Sequence, residues 1–147
     1  SNLESEWVVD KFEKGEFPEE TELRDRIVNS RTYNLRPEFL NRLDAIIPFS
    51  PLNKEDLTKI LDLQMKRFMK PLKARKIEME LSPEAKGFLV DEGYSPEFGA
   101  RPLKRVIDRF LGDRISEMLI AQELKEGELL KVDYGDDGLI FTAVGKE

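Results

Sequence analysis

Trp7, Val8, Val9 and Phe12 fall on one side of a helical wheel, and Gly15-Glu16-Phe17-Pro18-Glu19-Glu20 breaks the period before Leu23, Ile27 and Val28 resume it. Ala45-Ile46-Ile47-Pro48-Phe49 reads as a buried strand ended by proline, and no nearby stretch supplies it a partner strand. From Ser50 the punctuation is cleaner. Asn53 suits an N-cap and Asp56 a first helical turn, ahead of an apolar stripe at Leu57, Ile60, Leu61, Met65, Phe68 and Leu72 that Pro71 ends or bends. Ile77, Met79 and Leu81 alternate with Glu78 and Glu80, the period of a strand with one wet face. Ser82-Pro83 opens a helix with Phe88 and Leu89 on its core side, closed by Gly93. After the turn Ser95-Pro96-Glu97-Phe98-Gly99, the spacing predicts the longest helix, from Arg101 to Leu124, with Leu103, Val106, Ile107, Leu111, Ile115 and Met118 on one face and Gly127 as its stop. Leu130, Val132 and Tyr134 then alternate with Lys131 and Asp133, Gly135-Asp136-Asp137-Gly138 turns the chain, and Leu139 to Val144 returns.

This order of elements predicts an α+β domain over residues 49–147, three main helices with a small three-stranded sheet. Residues 1–48 are less self-contained: a helical segment and a lone strand need more chain to cover them, so they read as the end of a larger unit. They are also the more acidic part, with 11 acids against 7 bases.

Composition narrows the chemistry. Hydrophobic residues make up 39% and charged residues 37% of the 147 positions, which fits a globular domain with an ion-rich surface rather than a disordered chain. A net charge of -6 argues against a nucleic-acid partner. No histidine and no cysteine occur, which excludes histidine bases, thiol nucleophiles, zinc–cysteine sites and disulfides, and is compatible with a reducing compartment. No apolar run approaches the roughly 20 residues that span a bilayer, and Ser1-Asn2-Leu3-Glu4-Ser5-Glu6 is no signal peptide. The expectation is a soluble, cytoplasmic protein with no membrane partner.

Two strings carry most of the functional information: Arg36-Pro37-Glu38-Phe39-Leu40-Asn41-Arg42-Leu43-Asp44, and Gly93-Tyr94-Ser95-Pro96-Glu97-Phe98-Gly99-Ala100-Arg101-Pro102-Leu103-Lys104-Arg105. In this order and separation they resemble the C-terminal half of the second AAA+ module of Clp-family unfoldases, and the likeness extends over nearly the whole chain. It implies that residues 1–48 are the end of an AAA+ large subdomain, from sensor 1 to the arginine finger, and residues 49–147 the Clp-type small C-terminal (lid) domain. It further implies that Arg42 is an arginine finger acting in trans on a neighbour's ATP, that Arg101 is the sensor-2 arginine, and that Asn2 matches the sensor-1 asparagine. An always-charged planar guanidinium suits the first two roles. The plain reading of Arg42 is a surface pair with Asp44 or Glu38; Lys104, Arg105 and Arg109 read as a solvated or intersubunit face.

The implied partners are the other subunits of a homohexamer and an unfolded or aggregated polypeptide, and the implied cofactor is ATP or ADP with Mg²⁺. Tight nucleotide binding by this stretch alone is not expected, because the only Gly-Lys is Gly145-Lys146 and no Gly-x-x-x-x-Gly-Lys-Ser/Thr exists. Phe88-Leu89-Val90-Asp91-Glu92 imitates a Walker B string but falls in a helical stretch, and no carboxylates show metal-ligand spacing, so no metal site is assigned. Protease-partnered Clp members resemble one another in an Ile/Leu/Val-Gly-Phe/Leu docking tripeptide. Between Asn2 and Arg36 the only glycine is Gly15, flanked by Lys14 and Glu16. That favours a disaggregase over a proteolytic unfoldase. The alternative class is an interaction or assembly module without a nucleotide role.

Overall fold

The computed structural model describes residues 2–95 and 98–145, and the chain divides into two compact units at Pro51/Leu52. In the first, helices α1 (Ser5–Glu13), α2 (Glu20–Asn29) and α3 (Pro37–Asn41) close on a small core of Val8, Leu23, Ile27 and Leu40. Trp7, Phe12, Leu35 and Ile46 pack around that core. α1 ends in a Schellman turn: Gly15 takes φ +74, its N–H donates to Phe12 O, and Glu16 N–H donates to Lys11 O. The strand expected at residues 45–49 does not form. Ile46 alone touches the core, Ile47 and Phe49 are 73% and 87% exposed, and without a partner strand the backbone stays irregular.

The second unit contains α4 (Lys54–Phe68), α5 (Lys70–Ala74), β1 (Glu78–Leu81), α6 (Pro83–Gly93), α7 (Leu103–Ile107), α8 (Asp113–Ile120), β2 (Glu128–Gly135) and β3 (Gly138–Gly145). The sheet order is β1-β2-β3, with β1 parallel to β2 and β2 antiparallel to β3. Register pairs Met79 with Leu130 and Leu81 with Val132, so the apolar side of the sheet meets the helices while Glu78, Glu80, Lys131 and Asp133 face outward. Leu61, Leu89, Leu111 and Leu130, all fully buried, come from four elements and mark the centre of the core. The parallel pair requires a long crossover, and α6 to α8 provide it. Among the described residues no helix is long and apolar enough to cross a membrane.

Caps explain where these helices begin. Asn53 Oδ1 accepts from Asp56 N–H at 2.8 Å, and the Asp56 carboxylate accepts from Asn53 N–H at 3.3 Å, a closed capping box. Ser82 Oγ accepts from Ala85 N–H at 3.1 Å and donates to Asp133 Oδ1 at 2.7 Å, while Ser82 N–H bonds Val132 O. One serine thus ties the start of α6 to β2. Ahead of Pro71 α4 stops at Phe68, and Pro71 falls in the first turn of α5; Met69 links the two, its N–H bonding Met65 O and its carbonyl accepting from Lys73 N–H.

The expected single helix from Arg101 to Leu124 is corrected at both ends and in the middle. Helical structure starts at Leu103, passes through a π-helical turn at Asp108–Gly112, and stops at Ile120. Its stop is not Gly127. Gln122 takes φ +59, Gln122 N–H bonds Leu119 O, and Glu123 N–H bonds Met118 O, a Schellman turn sealed by buried Leu124. Lys76, at φ +58, closes α5 in the same way and delivers buried Ile77 to the sheet.

Gly93 is the last residue of α6, and its role is contact rather than a left-handed backbone. A methyl group there would stand 3.0 Å from Leu103 Cα and would overlap the Leu103 side chain. Gly87, on the exposed side of the same helix, has open space where a methyl would go. Thermal melts should therefore move in opposite directions: Gly87→Ala raises stability by about 0.5–1 kcal/mol, the helix-propensity gain, whereas Gly93→Ala lowers it by about 1–3 kcal/mol from overpacking. Equal shifts for the two would show that Leu103 does not crowd Gly93.

The Ser82 hydroxyl and, secondarily, the Tyr134 N–H hold the Asp133 carboxyl below its ordinary 3.8. A folded pKa below the unfolded one means that these bonds stabilise the fold above the unfolded value and are lost as pH falls through the folded value. Ser82→Ala should cost about 1 kcal/mol at neutral pH through loss of the cap. Asp133→Asn should flatten the acid limb of the stability profile, as read by chemical denaturation across pH; an unchanged acid limb would refute the assignment.

Candidate functional site

Arg42 stands at the end of α3. Pro37 begins that helix, where its missing N–H costs nothing, Arg36 O accepts from Phe39 and Leu40 N–H, and Leu40 is the α3 side chain sunk into the core at 1% exposure. Arg42 N–H bonds Phe39 O at 3.1 Å, and its exposed side chain has no polar partner among the described residues. The surface pairs with Asp44 and Glu38 do not form. Arg36 is equally exposed and unpaired, so freedom alone does not single out Arg42.

What distinguishes the segment is its support. Arg24 of α2 donates to Leu40 O at 2.6 Å and to Glu20 Oε1 at 2.9 Å, and lies 3.5 Å from Leu43 O. Glu20 also accepts from Ile46 N–H at 3.2 Å, and these two bonds, Arg24 first, hold its carboxyl below the usual carboxylate value. Sequence reasoning missed both residues. The spacing of Glu20 and Arg24 signals an i,i+4 ion pair, but nothing local announces the reach to residues 40–46.

Arg101 lies in the second unit, on the turn that precedes α7. Ser95 and Gly99 exchange backbone hydrogen bonds of 3.0 and 2.6 Å, Gly99 takes φ +61, and Phe98 N–H bonds Ser95 Oγ at 3.3 Å. Pro96 and Glu97 of the same string fall outside the described residues. Arg101 is therefore held between a closed turn and Leu103, which is 1% exposed and seated on Gly93. It is not the first residue of the helix, as spacing alone suggests, but sits two residues ahead of it, with Pro102 as the cap. Its guanidinium is exposed and has no partner among the described residues. Lys104 and Arg105 are also exposed, and Arg109 stacks on Phe110 at 5.3 Å.

Asn2 is exposed, and its carbonyl accepts from Ser5 N–H at 3.3 Å. The chain beside it is tied to α2: Glu4 accepts from Arg26 Nε at 2.9 Å, and Glu4 N–H donates to Tyr33 Oη at 3.1 Å. No bond joins Asn2 to Arg42 among the described residues. The Walker B-like string lies in α6, with Leu89 and Val90 in the core and Asp91 beside Lys54 at 3.5 Å. Among the described residues no group of three acidic side chains is placed to hold a metal ion.

Helices packed on one side of a sheet with one parallel and one antiparallel pairing, an arginine-bearing turn ahead of α7 and a preceding helical unit define the small C-terminal domain of an AAA+ module. A family model for the C-terminal, D2-small domain of ClpB protein matches residues 52–132. The chain belongs to this ClpB D2-small family. It is 39% identical over 141 residues to the chaperone protein ClpB of Agrobacterium fabrum, 40% over 145 residues to that of Bacteroides thetaiotaomicron, and 42% over 143 residues to that of Meiothermus ruber. These alignments cover 96%, 96% and 97% of the chain but only 16%, 17% and 16% of the relatives, so the chain spans about a sixth of their length.

Because Arg101 contributes nothing to the core and Leu103 closes it, the two should separate in a melt. Arg101→Ala is expected to stay within about 0.5 kcal/mol of the wild type, and Leu103→Ala to lose about 2–5 kcal/mol. A comparable loss for Arg101→Ala would make it a structural contact.

Proposed function

We propose that this chain is the nucleotide-sensing and hexamer-contact part of an ATP-driven protein disaggregase that works in the cytoplasm on unfolded or aggregated polypeptide. The observation that carries this reading is Arg42: an uncommitted guanidinium on a short helix whose end is held by α2, in a chain of the ClpB family. Residues 1–48 are then the end of the AAA+ large subdomain and residues 49–147 its lid, a boundary close to the division of the chain at Pro51/Leu52.

ATP with Mg²⁺ would supply the phosphoryl group and its counter-charge; the arginines present here fit that group as hydrogen-bond donors to its phosphate oxygens and not as its cradle. Arg42 offers a planar fork to the transferring phosphoryl oxygens in the neighbouring subunit, which stabilises charge that builds up during transfer. Arg101 approaches phosphate within its own subunit. Its turn is braced by Leu103 in the core, so a change in what the guanidinium binds is passed to the lid as a whole. Asn2 orients the attacking water. Because the finger works across a subunit boundary, an assembled subunit interface is required for turnover.

Rings mixed from Arg42→Ala subunits and subunits lacking the P-loop lysine test the trans assignment. An intact finger facing an intact pocket should keep its ATPase rate, and a mutant finger facing an intact pocket should lose about 10³–10⁵-fold. Arg42→Lys should not rescue, since a point charge lacks the fork. If turnover follows only the number of intact pockets, the finger role is wrong.

A further inference from the structure

α3 has five residues, too few to hold its own end: the last carbonyls of any helix lack internal partners, and a short helix gains little from cooperativity. Yet Arg42 lies on that end. Leu40 O receives the Arg24 guanidinium at 2.6 Å, Leu43 O stands 3.5 Å from it, and Ile46 N–H is taken by Glu20, the carboxylate that Arg24 grips. Backbone groups on both sides of Arg42 are thus fastened to a single fork on α2. The Arg24 side chain is 25% exposed and its bond to Leu40 O is partly buried, while the bonds through Glu20 and Leu43 O lie at the surface. The α2 frame is itself anchored, because Leu23 and Ile27, on either side of Arg24, are both 3% exposed in the core.

We propose that Arg24, with Glu20 as its counter-charge, is the positioning residue for Arg42. It fixes the direction in which the Arg42 side chain leaves the backbone and so aims the guanidinium at the neighbouring subunit. This inference rests on the finger reading of Arg42. The geometry calls for arginine: donors in a planar fork reach two carbonyls and a carboxylate together, whereas an ammonium on a flexible stem satisfies them one at a time. Aim matters because a displacement of about 1 Å at a reacting group can cost about 10²-fold in rate.

The test uses the full-length ring, with Arg24→Ala, Arg24→Lys, Arg42→Ala and the Arg24→Ala/Arg42→Ala double variant compared for kcat, ATP KM and melting. Arg24→Ala should lower kcat by about 10–100-fold with KM changed by less than about threefold, and Arg24→Lys should recover only part of the loss. In the Arg42→Ala background the Arg24 change should have an effect of less than about twofold, since its target is gone. An additive double variant, an unchanged kcat for Arg24→Ala, or a change confined to KM would overturn the proposal. If Arg24→Ala does not fold, Glu20→Gln, which keeps an acceptor for Ile46 N–H but removes the charge, must show the same non-additivity with Arg42→Ala; additivity refutes it. Should Arg42→Ala itself leave kcat unchanged, the finger reading fails first. A loss for Arg42→Ala without a coupled loss at Arg24 removes the positioning role alone.

Discussion

The second unit depends on one close contact, the seat of Leu103 on Gly93. The crossover from β1 to β2 must carry the chain out along α6, reverse it, and bring it back along α7 and α8 before β2 can pair in parallel with β1. A side chain at Gly93 would push the start of α7 away from the end of α6. With hydrogen there, Leu103 enters the core at its full depth, followed by Val106 and Ile107 on the next turn. The same contact sets the base of Arg101. The turn between the helices is closed by the Ser95–Gly99 bridge on one side and by Leu103 on the other.

The first unit solves a similar problem with less material. Among the described residues its core cluster is Val8, Leu23, Ile27 and Leu40, too few to define a loop by packing alone, and polar bonds take over that task around Arg42. Arg24 does for α3 what a capping side chain does for a longer helix, from a different element. Ile46 completes the arrangement twice, through its side chain on the core and its N–H on Glu20.

Amphipathic spacing and capping residues made most of the second unit readable. The stripes from Leu57 and from Leu103, the Asn53 and Ser82 caps and the glycine-flanked hairpin follow from local rules. Three features escaped those rules for physical reasons. Lys76 and Gln122 end helices in left-handed conformations that local preference assigns to glycine; the buried residues after them, Ile77 and Leu124, drive the turns. The π-helical turn at Asp108–Gly112 leaves the apolar stripe intact, so periodicity cannot register it. Ala45 to Phe49 has strand-like composition without a strand partner, and pairing is a property of the neighbours. At the site, the arginine-bearing strings were legible but their supports were not, because Arg24 and residues 40–46 meet only in three dimensions.

Arg42 and Arg101 share a construction that explains how an unpaired cation can be well aimed. Each lies two residues from a leucine that is 1% exposed, Leu40 before Arg42 and Leu103 after Arg101. Neither guanidinium forms an ion pair or a side-chain hydrogen bond among the described residues. A finger already paired with Asp44 would have to release that pair first, and the cost would be subtracted from the stabilisation it brings. Precision is supplied instead by the backbone, through core packing at Leu103 and through packing plus the Arg24 fork at Leu40. The side chain keeps its donors unspent among the described residues, while the backbone that carries it is fixed by its neighbours.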